Sequence, residues 1–171
     1  MSGYRLEKRH HLSSVLENDL SKIGYHYNVI NGSVAGDTSA GGLNRLKWTL
    51  SESSVEILVL CLGANDMLRG IKPDATKKNL EKIIKITLNK KIKIIFAGMI
   101  APKSYGDNYK NAFDAMYLSL SKEYDLNYIP FLLDGVALNP DLNLNDGIHP
   151  NEKGVVVISK TILRQIKKII K

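Results

Sequence analysis

The chain has 171 residues, of which 44% are hydrophobic and 24% charged. That is long enough to bury a sizeable core in a single domain and ordinary for a globular protein. No run of 18 apolar residues occurs, which excludes a membrane-spanning helix, and a single cysteine, Cys61, excludes an internal disulfide. The net charge of +7 raises nucleic acid or an anionic surface as a partner. The lysines, however, are spread over two amphipathic stretches with no aromatic residues among them, so a solvated lysine-rich face is the reading preferred over a nucleic-acid interface.

Residues 10–23 read as a helix, with Leu12, Val15, Leu16, Leu20 and Ile23 on one side and Gly24 as its stop. Residues 25–31 read as a short strand. Residues 32–42 are rich in Gly, Ser and Thr and form a loop, after which 43–51 turns helical. Residues 55–62 are nearly all apolar, as expected of a strand buried on both faces of a parallel sheet; Cys61 lies within this run and reads as a buried core thiol. Residues 74–90 form a helix with Leu80, Ile83, Ile84, Thr87 and Leu88 on one face. Residues 92–100 are the next strand. A helix over 105–124 turns Phe113, Met116, Tyr117 and Leu120 inward. Residues 127–133 are a strand that Pro130 assigns to a sheet edge. The last helix spans 151–170, with Val155, Ile158, Ile162, Ile166 and Ile169 inward.

Strand and helix alternate, which predicts a three-layer α/β fold with a parallel sheet, organised as one domain over residues 1–171. One feature departs from that class: the chain starts almost directly on a helix, with no strand before it.

The chemistry concentrates in Asn145-Asp146-Gly147-Ile148-His149-Pro150. Pro150 drives His149 toward an extended backbone, and Asp146-Gly147 is a turn signal. A carboxylate three residues before an imidazole can accept from one ring nitrogen and leave the other free as a base. Two further stretches also follow predicted strands: Asn31 to Thr38, which contains Gly36, and Gly63-Ala64-Asn65-Asp66. Ligands of open α/β sheets bind at the carboxyl ends of the strands. A glycine N–H and an asparagine amide placed there could hold an oxyanion. Taken singly, each stretch has a plainer structural reading as a turn or a helix cap.

Together these blocks resemble the SGNH (GDSL-type) hydrolase family, in its bacterial thioesterase I/lysophospholipase/arylesterase branch. Met67-Leu68-Arg69-Gly70 and Tyr105-Gly106-Asp107-Asn108-Tyr109 also look like that branch. The resemblance implies a flavodoxin-like α/β/α sandwich and carboxylic ester or thioester hydrolysis through a serine acyl-enzyme. It makes His149 the base, Asp146 its orienting acid, and the Gly36 N–H and Asn65 side chain the oxyanion donors. The family's nucleophile block would fall just before Met1, because the Gly-Tyr pair that follows it is Gly3-Tyr4 here. Ser2 corresponds to a residue after the nucleophile and is a poor substitute; Ser33 and Ser39 read as turn residues, and Ser13 and Ser14 lie on the first helix. The first strand of the family's sheet is central, between 25–31 and 55–62, so its absence predicts two unpaired strand edges and a coding sequence that begins upstream of Met1.

The expected substrates are lipid-like acyl esters: thioesters, lysophospholipids or aryl esters. A catalytically dead acyl- or carbohydrate-binding domain is the alternative, and retention of His149 and Asp146 argues against it. No metal or cofactor is expected, and neither nucleic acid nor a transmembrane segment. The chain is expected to act as a monomer. As written it stays in the cytoplasm, and an upstream signal peptide would send it to the periplasm.

Overall fold

The computed structural model describes residues 3–51 and 55–170. Ser2 therefore lies outside the described residues. The chain divides into two compact units: Gly36–Phe131, and a second built from Met1–Ala35 with Leu132–Lys171.

The continuous unit holds the sheet. Its strands are β1 (Ile57–Leu60), β2 (Lys93–Ala97) and β3 (Asn127–Ile129), all parallel, in the order β1-β2-β3. Parallel strands need a crossover, and helices supply it: α2 (Ser39–Thr49), the short α3 (Ala64–Leu68), α4 (Pro73–Asn89) and α5 (Asp107–Glu123). The helix α4 packs against α2, α5 and β2. The apolar spacing read from the sequence is what faces inward: Leu80, Ile83 and Ile84 of α4, and Phe113, Met116, Tyr117 and Leu120 of α5, are buried around Phe96 and Ile94 of β2. Leu88, expected on the same face of α4, is 37% exposed. Phe96, Tyr117 and Phe113 form a ring cluster with centroids 5.5 Å apart at each step, a spacing favourable for aromatic pairs.

The discontinuous unit is helical. It pairs α1 (Leu12–Lys22) with α6 (Glu152–Ile169). Leu12, Leu16 and Leu20 of α1 and Val155, Ile158, Ile162 and Ile166 of α6 are buried. Val15 is half-buried and Ile23 is exposed. The hydroxyl of Ser159 donates to the Asp19 carboxylate at 2.8 Å and so keeps that acid within the helix pair.

Three expectations are corrected. Residues 25–31 alternate between half-buried and exposed positions, as a strand would, yet join no ladder. A strand exists only through its partner's hydrogen bonds, and none is present among the described residues. Secondly, β1 was expected to be buried on both faces, but Ile57, Leu58 and Val59 are only half-buried. Lys93 N–H donates to the Glu56 carbonyl. That phase turns Glu56, Leu58 and Leu60 toward β2 and the backbone groups of Ile57 and Val59 away from it. Among the described residues that outer edge has no ladder partner, so the open edge expected on this strand is present, whereas 25–31 forms no strand to carry the other. The half-burial of β1 has the same cause. It extends to Cys61, which is half-buried rather than a core thiol, although loss of solvent pushes the thiol's pKa up. Thirdly, α2 starts at Ser39, four residues earlier than position 43, because Thr38 caps it: its hydroxyl accepts from Gly41 N–H at 3.3 Å. The edge position of β3 agrees with the reading of Pro130.

Candidate active site

The Asp146–His149 loop belongs to the helical unit. Leu144 N–H donates to the His149 carbonyl at 2.7 Å, closing residues 144–149 into a loop, and Gly147 N–H donates back to the Leu144 carbonyl. Gly147 has φ +69, the left-handed region that glycine enters without strain. Two asparagines hold the base of this loop. Buried Asn143 donates to the carbonyls of Val136 (2.6 Å) and Asn139 (2.8 Å). Asn151 donates to the Asp141 and Asn143 carbonyls, and its Oδ1 accepts from Lys153 and Gly154 N–H to cap α6. The start of the last helix and the histidine loop are thereby one hydrogen-bonded piece.

Within that piece the carboxylate grips the histidine at both ends. Asp146 Oδ1 accepts from the N–H of His149 at 2.9 Å and of Ile148 at 3.0 Å, and Oδ2 lies 2.9 Å from His149 Nδ1. An ionised carboxylate can only accept, so Nδ1 carries the proton in this bond and the Nε2 lone pair is left over. No hydrogen bond engages Nε2 among the described residues. The Tyr4 ring lies against the imidazole, centroids 4.5 Å apart.

The hydrogen bonds on Asp146, that from the His149 amide first, bring its pKa from 3.8 down to about 2. A depressed acid contributes stability that is full above its unfolded pKa and is lost as pH falls through the folded one. The Asp146→Asn variant should therefore be less stable than the parent at pH 6, and the gap should narrow below pH 4 and close near pH 2. Urea unfolding across that range measures it; a gap that does not narrow contradicts the assignment.

Gly36 and Asn65 lie in the sheet-bearing unit, and the structure brings them together. Asn65, half-buried on α3, donates through Nδ2 to the Asp37 carbonyl at 2.9 Å. Arg69, one turn further on, donates to the Gly36 carbonyl at 2.8 Å. Two successive carbonyls of the glycine loop are thus clamped to α3. The Asn65 amide has two N–H groups, so one anchors the side chain and the other remains to donate. Gly36 has φ +73, and its own N–H is engaged by no hydrogen bond among the described residues.

The next residue, Asp66, holds the same loop from the other side. Its buried carboxylate accepts from the Ser39 N–H at 2.7 Å, the Ser39 hydroxyl and the Thr76 hydroxyl at 3.2 Å. It stands at the N-terminus of α2, where the helix dipole favours a negative charge. Asn79 donates to the Ser39 hydroxyl at 3.0 Å. Ser39 is consequently committed to a buried network. Ser33, with its N–H on Asn31 Oδ1, is the turn residue expected. Sequence reasoning assigns no role in the site to Tyr4, Asp66, Arg69, Asn143 or Asn151; Tyr4, Asp66 and Arg69 lie in stretches that carry the family resemblance, and Asn151, just after Pro150 and before an apolar helix, has the local signal of an N-cap.

The turn into α3 depends on Gly63. Its φ is +113, and a Cβ there would lie 2.2 Å from the Tyr117 hydroxyl, which itself donates to the Leu62 carbonyl at 2.9 Å. Gly63→Ala should cost about 2–4 kcal/mol in chemical denaturation, from left-handed strain and displacement of a buried ring. A cost below about 1 kcal/mol would show that the turn relaxes freely.

The chain is similar to known proteins over most of its length. The GDSL-like Lipase/Acylhydrolase family matches residues 2–156. An arylesterase of Vibrio mimicus is 30% identical over 167 residues, covering 98% of this chain and 84% of the relative. The thioesterase 1/protease 1/lysophospholipase L1 of Escherichia coli is 34% identical over 142 residues, covering 83% and 68%. Among solved structures, that of TesA superposes with a TM-score of 0.92 at 31% identity, over 99% of this chain and 94% of the other. By that sequence match and that superposition, the chain belongs to the GDSL-like lipase/acylhydrolase family and has the α/β fold of the SGNH hydrolases.

Proposed function

We propose that this chain hydrolyses carboxylic esters or thioesters of lipid-like acyl groups, with Asp146 orienting His149 as the general base and the Gly36 N–H and Asn65 amide serving the oxyanion. The observation that carries the reading is the grip of Asp146 on His149, which leaves Nε2 bare. A pure binder has no need of an oriented base. In the reaction Nε2 takes the proton of the attacking serine hydroxyl, which the family's pattern places just ahead of Gly3-Tyr4, as its oxygen bonds to the acyl carbon. The carbonyl electrons move onto oxygen, where two preorganised N–H donors stabilise them. The imidazolium then gives its proton to the departing alcohol or thiol, and water repeats the sequence on the acyl-enzyme. The names of the relatives, an arylesterase and a thioesterase/lysophospholipase, support both ester and thioester substrates.

The test is hydrolysis of p-nitrophenyl and acyl-thioester substrates together with labelling by a fluorophosphonate, the adduct being mapped by mass spectrometry. The expected result is turnover above the uncatalysed rate and one labelled residue, which identifies the nucleophile. Neither turnover nor adduct, with acyl ligands still bound, would replace this reading by that of a non-catalytic acyl-binding domain.

A further inference from the structure

The outer face of α6 is basic along the length of the helix. The helix buries Val155, Ile158, Ser159, Ile162 and Ile166. At about 100° per residue, the opposite side carries Lys153, Val157, Lys160, Arg164, Lys167 and Lys168. No acidic residue occurs from position 153 to the end of the helix. None of these five cations makes an ion pair among the described residues, and the one hydrogen bond of Arg164 is to Thr161 on the same helix. Glu152, which opens α6, lies 3.3 Å from His10, and Asp19 of α1 is held by Ser159 and, at 3.6 Å, by Lys22.

Between the cations runs a shallow groove of about 380 Å³, lined by Val157, Lys160, Leu163, Arg164 and Lys167. Its floor is aliphatic, and Val156 on its flank is 39% exposed. Five like charges spread over about 22 Å of helix repel one another unless an anionic partner covers them. The partner must also accept aliphatic side chains. Nucleic acid meets the first requirement, but this face has no aromatic residue on which bases could stack. An anionic lipid surface meets both, since its phosphates attract the cations and its acyl boundary takes valine and leucine side chains and lysine stems.

We infer that the outer face of α6 docks the protein on anionic phospholipid bilayers, with Lys160, Arg164 and Lys167 on the headgroups and Val157 and Leu163 at their boundary. The helix does not insert along its length, because its main apolar face is occupied by the contact with α1. Docking uses no catalytic group, so it stands or falls separately from the hydrolase reading.

Co-sedimentation with vesicles of phosphatidylglycerol and phosphatidylcholine, against phosphatidylcholine alone, tests it. The wild type should bind only the anionic vesicles and release at about 0.5 M salt, where screening is nearly complete. Each cation near such a surface contributes about fivefold in partitioning, so K160E/R164E/K167E should weaken binding at least about a hundredfold. A control with the same charge change on α4 and its C-terminal cap, K78E/K82E/K90E, should lose no more than a few-fold. Circular dichroism confirms that both variants are folded. Leu163→Ser should weaken binding several-fold with every charge retained. Absence of binding to anionic vesicles, equal losses in the two triple variants, or an α6-dependent affinity for a nucleic-acid duplex that matches that for the bilayer would each overturn the proposal.

Discussion

Replacing His149 by alanine should lower kcat/KM for p-nitrophenyl ester hydrolysis by about a thousand- to ten-thousandfold while leaving the urea midpoint close to that of the parent. The size follows from removing the base of an oriented acid–base pair, which leaves only binding and oxyanion stabilisation. Stability should hardly change because the ring is exposed and tied to the protein by a single side-chain bond, the 2.9 Å contact with Asp146. Asp146→Asn should show the intermediate effect. Its amide can still lie beside the ring but no longer enforces a proton on Nδ1, so kcat should fall with KM little changed. A His149→Ala variant that retains more than about a tenth of the parent's activity would remove the imidazole from the mechanism.

Replacing Asp66 by alanine should have the opposite profile, a large loss of stability of about 3–5 kcal/mol. Three donors converge on this buried carboxylate, two of them from Ser39. Each buried donor left without an acceptor costs about 1–3 kcal/mol, and the start of α2 loses the charge that complements its dipole. The effect should also reach the glycine loop, because Asp66 and Asn65 hold Ser39 and Asp37 from adjacent positions. Asp66→Asn, which keeps one acceptor oxygen, should recover part of the stability. Urea unfolding of the three proteins measures both effects; a cost for the alanine variant within about 1 kcal/mol would mean that Ser39 and Thr76 find water or other partners readily.

The sequence and the structure agree where one residue type has one physical solution. Leu80, Ile83, Ile84 and Leu120 recur at helical spacing and are buried at 0% exposure. Asp146 and His149 are three residues apart in a turn, so their bond could be read from spacing alone. What could not be read were contacts between positions far apart in sequence. Asp66 meets Ser39 across 27 residues, and Arg69 reaches Gly36 across 33. In both cases the local sequence offers an equally good cap or surface role. The strand reading of 25–31 fails for a different reason: alternation gives the faces of a strand and says nothing of whether a neighbour supplies its hydrogen bonds.

The unit that carries the histidine loop is made from the two ends of the chain. Its Asp19–Ser159 hydrogen bond closes a separation of 140 positions, whereas the sheet of the other unit is built between segments that follow one another. Chains are synthesised from the N-terminus, so α1 emerges well before its partner helix, with 140 positions between Asp19 and Ser159. Throughout that interval Leu12, Leu16 and Leu20 have no apolar surface of α6 to cover them. The loop-closure entropy of joining so distant segments must also be met before their contacts form. A ribosome-bound nascent chain therefore presents a ready leucine stripe to holdase chaperones, and the hydrogen bonds that tie the Asp146–His149 loop to α6 form only after α6 has emerged.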